Sequence, residues 1–425
     1  MLTSRERVNL AVNHKEPDRV PLDLGGFIGT GMHVDLVYSL RQALGLDPPG
    51  TPVKVIEPFQ MLGEIDLDLT NAVGSDVVAL EGPGTQFGFN KEGWKPWTTF
   101  TGTPVLVPEG FNTEPDPSGD ILMYPEGDRS APASGRMPKG GFYFDAIVRQ
   151  PPLDDENLNP EDNTVEFSLI SDKTLDYLKN KVERLYNRTD KALLGAFGGT
   201  SFGSMGNLPA TWVKYPKGIR KPDEWFMSHL IRRDYLYKAF ERQCAIGLEN
   251  FKRIYEVVGD RIVGVVVTTT DFGMQTGPFI SPKIYRDLYM PFHQRLNDWV
   301  HQNTPWKTFI HSCGSVREFL PDFIAAGFDL LNPVQCSAAR MAPEELKKEY
   351  GDRITFWGGG VDTQKTLPFG TPDDVRRQVR ERLRILGLGG GFVFATVHNI
   401  QARTPVENVL AMIETVRDYG KYPLT

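Results

Sequence analysis

Short apolar runs rich in β-branched residues alternate along most of the chain with longer segments in which apolar positions recur every three to four residues. The short runs predict strands near Arg19–Leu24, Asp76–Leu80, Ala192–Phe197, Ile262–Thr268, Trp306–His311, Phe328–Asn332, Ile354–Trp357 and Phe392–Ala395. The longer segments predict helices, among them Lys173–Tyr186, Pro282–Gln302, Val316–Ala326, Pro372–Leu386 and Val406–Tyr419. Thr3 and Glu6 stand at capping-box spacing at the start of a helix reaching His14. Strands alternating with helices imply parallel strands joined by crossover helices, and eight such units predict an α/β fold of the (β/α)8 TIM-barrel type. An open doubly wound sheet is the alternative; no G-x-G-x-x-G turn follows the first strand to support it.

Residues 85–163 break this rhythm, being rich in Pro, Gly, Asp and aromatic residues, with turn signals (DPSG, PEGD) between short β-like runs (ILMYP, GFYFDAI). They predict a β-hairpin-rich insertion after the second strand, within one barrel domain spanning 1–425. The insertion has two readings: a surface excursion or homodimer contact, and a cap over the barrel mouth lined by Trp94, Trp97, Tyr143 and Phe144.

Composition narrows the function classes. A net charge of −7 gives no electrostatic reason to propose nucleic acid or an anionic membrane as partner. The longest apolar stretch, Ile262–Val267, is far too short to span a bilayer, and MLTSRERVNLAV carries no signal-type apolar run. The odd set Cys244, Cys313 and Cys336 argues against a disulfide framework, so the expected compartment is the cytoplasm.

Barrel sites form where strands run out at their C-terminal ends. The polar residues there are Asp23, Glu81, Asp271, His311, Cys313, Asn332, Gln335, Cys336, Asp362, Gln364, His398 and Asn399. In FIHSCGS, His311 and Cys313 are two apart, and in an extended chain such residues point the same way. An imidazole and a thiolate at about 2.0–2.3 Å suit zinc, and a catalytic zinc needs one more protein ligand plus an open position. Cys336 and His398 are the candidates for that ligand. Asp271 and Glu81 are candidate acid–base or orienting groups. Asp23, Asn332, Gln335, Asp362, Gln364 and Asn399 are candidate substrate contacts. The glycines of GGGVDTQ serve either a sharp turn or the close approach of a flat ligand. Cys244, within AFERQCAIGL, reads as a structural helix residue.

VNHKEPDRVPLDL, the D-F-G-x-Q-T-G-P-x-x-S-P segment from Asp271, HSCGSV, LNPVQ, GGGVDTQ and VHNIQARTPVENV together resemble the uroporphyrinogen decarboxylase superfamily, over nearly the whole chain except the insertion. That resemblance implies a (β/α)8 barrel. True uroporphyrinogen decarboxylases of the family work without metal and bind a polycarboxylate with an arginine-rich loop after the first strand. Here that loop is DLGGFIGTGMH, without arginine, and carboxylates buried without cationic partners would be strongly disfavoured. The other branch, the zinc- and corrinoid-dependent methyltransferases, carries H-x-C and a later cysteine. His311 and Cys313 match, and His398 stands where that branch has cysteine. The resemblance implies an enzyme moving a methyl group between a small substrate, such as a methoxylated aromatic, and a corrinoid, as in O-demethylation, with zinc as Lewis acid. The chain lacks a D-x-H-x-x-G corrinoid signature, so the corrinoid is expected on a separate protein. The rival readings are a metal-free decarboxylase and a tetrapyrrole-binding carrier.

Overall fold

The computed structural model describes residues 2–165, 167–197 and 202–424. Strands β1 (Val53–Glu57) and β2 (Leu62–Gly63) precede the first barrel strand, β3 (Val77–Glu81). The insertion carries β4 (Lys95–Thr98), β5 (Pro104–Val107), β6 (Ile121–Met123), β7 (Gly135–Met137) and β8 (Asp145–Ala146). Then come β9 (Ala192–Ala196), β10 (Gly264–Thr268), β11 (Lys307–His311), β12 (Leu330–Asn332), β13 (Thr355–Trp357) and β14 (Phe392–Val393). β3 and β9 to β14 lie side by side, parallel and in chain order, in one seven-stranded sheet.

Residues 20–24 join the two edges of that sheet. Asp23 N–H donates to Phe394 O at 2.8 Å, Phe394 N–H to Pro21 O at 2.8 Å, and Asp76 N–H to Leu22 O at 2.7 Å. The arrangement is TIM-barrel-like. Val77, Leu194, Val266, Phe309 and Val393 pack in the interior with Val8, Ala11 and Val12 of the N-terminal helix Ser4–Val12. That helix sits at the strands' N-terminal ends, where Ala11 O accepts Gly391 N–H at 3.0 Å just before β14. The opposite, C-terminal ends are left for a site.

The first predicted strand, Arg19–Leu24, is an extended segment with only isolated bridges, such as Leu22 to Phe394. Pro21 lacks the N–H that a regular ladder needs. The helix expected over Pro282–Gln302 is two, Pro282–Leu288 and Met290–Asn303, with Pro291 in the first turn of the second. The hairpin-rich segment does not stand alone either. β5 pairs in parallel with β1, making a four-stranded sheet in the order β2-β1-β5-β4, while β6, β7 and β8 form a second sheet. Of the aromatic residues offered as a cap lining, Phe144 is buried, Trp97 packs on Phe111, Tyr143 is exposed and Trp94 lines a side pocket.

One buried carboxylate ties the closing segment to β3. Asp76 accepts from Arg7 Nη1 at 2.8 Å, from Arg19 Nη1 and Nη2 at 2.7 and 2.9 Å, and from Leu22 N–H at 2.9 Å. Breaking a buried pair by removing one partner leaves the other charge uncompensated. Asp76→Ala is therefore expected to lower the unfolding free energy by about 3–5 kcal/mol in urea titration. A loss below about 1 kcal/mol, the value of a surface pair, would show that barrel closure does not depend on it.

Candidate metal centre

His311 ends β11, two residues after the interior Phe309, so alternation turns it inward, where its ring meets the edge of Phe27 at 5.6 Å. The chain then turns sharply at Gly314, whose φ is +83°. A Cβ there would lie 2.4 Å from Gly273 backbone atoms, so only glycine lets the two loops touch. Three hydrogen bonds hold the turn. Cys313 N–H donates to Asp271 Oδ1 at 2.7 Å, Gly314 N–H to Gln335 Oε1 at 2.8 Å, and Phe272 N–H to Ser312 Oγ at 2.9 Å. His398 arrives from beyond β14, its carbonyl accepting Thr396 Oγ1–H at 2.6 Å.

These loops bring His311, Cys313 and His398 together, with one ligand atom of each within 4.8 Å of the others. Cys313 Sγ lies 3.5 Å from His311 Nε2, and tetrahedral zinc with ordinary bond lengths sets an N···S separation of roughly 3.5 Å. His311 Nδ1 is 2.6 Å from Asn332 Oδ1, while Asn332 Nδ2 donates to Trp357 O at 2.7 Å. The amide orientation makes Oδ1 the acceptor, so Nδ1 carries the proton and the Nε2 lone pair faces the cluster. Burial pushes both His311 and His398 down to about 4, which keeps them neutral, the form that ligates. Burial and the neighbouring Asp271 push the Cys313 thiol well up, so a cation is what would draw out its thiolate. The donor set fits zinc, with a fourth position left for water or substrate.

Cys336 is not part of this cluster among the described residues. After Asn332 the chain leaves the extended conformation, with Cys336 N–H donating to Val334 O at 2.9 Å, so inward alternation ends. Cys336 lines a separate cavity with Arg317, Met341 and Glu345. Asp271 does reach the cluster, where it holds the Cys313 backbone and burial raises its carboxyl. Asn332 and Gln335 orient the ligand-bearing residues instead of standing free. Asn399 exchanges amide hydrogen bonds with Gln60 and Gln401. Asp362 caps its own turn, accepting Gln364 N–H at 2.7 Å, and the exposed Gln364 side chain accepts from Gln275 at 3.3 Å. Gly358 and Gly359, with φ of +112° and +80°, make GGGVDTQ a sharp turn. Glu81 ends β3 in a side pocket, paired with Lys91 Nζ at 2.5 Å. Burial raises its carboxyl, but Lys91 and Lys181 outweigh that and hold it below the ordinary value.

Two contributors escape a sequence reading. Phe27, in the arginine-free loop DLGGFIGTGMH, supplies a wall against His311. Trp357 donates its indole N–H to Asp23 Oδ2 at 2.7 Å, and a buried indole in a barrel strand is the signal that such an acceptor exists. Asp23 is fully buried, also accepts Gly26 N–H at 2.7 Å, and has its carboxyl raised from 3.8 to about 6, chiefly by burial. A raised carboxyl binds its proton more tightly in the folded state, so its contribution to stability is present at low pH and declines as pH rises from about 4 to about 6. The decline is about 3 kcal/mol for this group. The difference in unfolding free energy between wild type and Asp23→Asn is expected to change across that window and stay flat above it; a flat difference throughout would refute the assignment.

Residues 263–419 match the family described as uroporphyrinogen decarboxylase (URO-D). Uroporphyrinogen decarboxylases from two strains of Coxiella burnetii, Dugway 5J108-111 and RSA 493 / Nine Mile phase I, are 28% identical to the chain over 76 residues. That stretch is 18% of this chain and only 20% of those relatives' own length. A methyltransferase from Methanosarcina mazei superposes over 99% of both chains with a TM-score of 0.55 at 16% identity, which shows a shared fold.

Proposed function

We propose that this chain, whose residues 263–419 match the uroporphyrinogen decarboxylase family, is a zinc-dependent methyltransferase of that superfamily acting with a separate corrinoid protein. The observation that carries the reading is the convergence of His311, Cys313 and His398 at the strands' C-terminal ends, with the His311 tautomer set by Asn332. The similar fold of the Methanosarcina mazei methyltransferase supports it. The loop DLGGFIGTGMH itself carries no arginine to pair with a polycarboxylate, which weighs against uroporphyrinogen as substrate.

Bound zinc would act as a Lewis acid on the heteroatom that carries or receives the methyl group. Two neutral imidazoles and one thiolate leave a net +1 on the site, more electrophilic than a two-thiolate site. His311 and His398 supply neutral nitrogens, Asp271 fixes the loop that carries Cys313, and Phe27 screens one face of the His311 ring. The substrate is a small methyl donor or acceptor, a methoxylated aromatic being one chemistry that fits. No helix among the described residues is long and apolar enough to cross a membrane.

The test is zinc content together with methyl transfer to or from a reduced corrinoid protein, for wild type, His398→Ala and His398→Cys. Wild type should hold about one zinc per chain, His398→Ala should lose it, and His398→Cys should keep it while transferring methyl more slowly. A wild-type protein that stays zinc-free after reconstitution sinks the mechanism and leaves the metal-free lyase as the better reading.

A further inference from the structure

Beyond Phe27, whose ring forms one wall of the metal centre, lies a pocket of about 490 Å³. It is bounded by β3, the loop of residues 25–31 and the helices Leu67–Val73 and Asp172–Arg188. Much of its wall is apolar or aromatic, including Ile28, Ile56, Ile65, Trp94 and Tyr177. Its size lies within the usual range of small-molecule sites, about 300–1,000 Å³.

The charges in this pocket do not balance. Its three acids each have a cation: Glu81 pairs with Lys91 at 2.5 Å, Glu64 with Lys54 at 3.3 Å, and Asp66 with Arg41 at 2.7 Å. Lys181, Arg184 and Arg188 also line it, and no ion pair reaches them among the described residues. They follow one face of the helix Asp172–Arg188, at i, i+3 and i+7. Lys181 is half-buried, donating to the Glu81 carbonyl at 3.3 Å and lying 5.7 Å above the Tyr177 ring. Lys181 feels Glu81, which Lys91 already pairs, and Arg184 and Arg188 stand exposed at the rim. A surplus of cations over acids, set against an aromatic wall, favours an anion with a flat apolar body. A guanidinium binds a carboxylate by donating paired hydrogen bonds to it.

We propose that this pocket binds a small aromatic carboxylate, its carboxylate at Lys181 and Arg184 and its ring against the apolar wall. None of the three metal ligands lines the pocket, so binding does not depend on zinc or on the methyltransferase reading.

Isothermal titration of the full chain with 2-naphthoate and its neutral amide, 2-naphthamide, tests this, with chelator-treated and zinc-loaded protein run in parallel. The acid should bind at least tenfold more tightly than the amide in both preparations. Arg184→Met, an exposed position that leaves the fold intact, should reduce the preference, and Lys181→Met with Arg184→Met should abolish it. Trp94→Ala should weaken acid and amide alike. Equal binding of acid and amide, a preference that survives the double substitution, or no binding of the acid at millimolar concentration would each overturn the proposal.

Discussion

Replacing Cys313 with alanine is expected to strip zinc from the protein and abolish methyl transfer while leaving the fold intact. Cys313 is the anionic donor of the three, and its sulfur lies 3.5 Å from His311 Nε2. A zinc site of four protein ligands is worth about 10–16 kcal/mol, or about 2.5–4 kcal/mol per ligand. Losing one such ligand weakens binding by about two to three orders of magnitude. The loop should survive, because its tie to Asp271 is made by the Cys313 backbone N–H, which alanine keeps. Competition against a chelator of known affinity measures the loss, and circular dichroism checks the fold. Cys336→Ala serves as control and should retain zinc, since Cys336 lines a different cavity. Full zinc affinity in Cys313→Ala would place the metal elsewhere and end the proposed mechanism.

The contrast between these two cysteines shows what was legible in the sequence. Apolar runs bounded by turns marked the strands from β9 to β14 because a barrel strand is buried on both faces and its pattern is local. Parallel order then put the residues following those strands on one rim, which is why His311, Cys313 and His398 could be named from sequences far apart. Cys336 also follows its strand within one turn of chain, but the chain turns after Asn332, and no spacing rule reports which way a turn points. Pairing across long sequence separations was equally hidden. β1 and β5 meet in parallel, yet nothing in either run names its partner. Pro21 and Pro291, by contrast, were in plain view, and giving their missing N–H groups full weight would have demoted the first strand and split the long helix.

The orientation of His311 was also out of reach of the sequence, and it leads to a second large effect. Asn332 is the cross-strand partner of His311, and its amide works in two directions, accepting from the imidazole and donating to Trp357 O. Asn332→Leu removes both bonds in a fully buried place. It should weaken zinc binding about 10–100-fold by freeing the ring and its tautomer. It should also destabilise the fold by about 2–6 kcal/mol, because two buried polar groups lose their partners at about 1–3 kcal/mol each. Asn332→Asp separates the two roles. A carboxylate still accepts from His311 Nδ1–H, so zinc affinity should stay within a few-fold of wild type, whereas the donor to Trp357 O is gone and stability should fall. Trp357 cannot easily shift to compensate, since Asp23 holds its indole N–H at the other end. Chelator competition and urea titration on the two variants should therefore rank them differently. Equal zinc loss in both would mean that the bond both variants lack, from Asn332 to Trp357 O, is what holds the site, and that the His311 tautomer is set by something else.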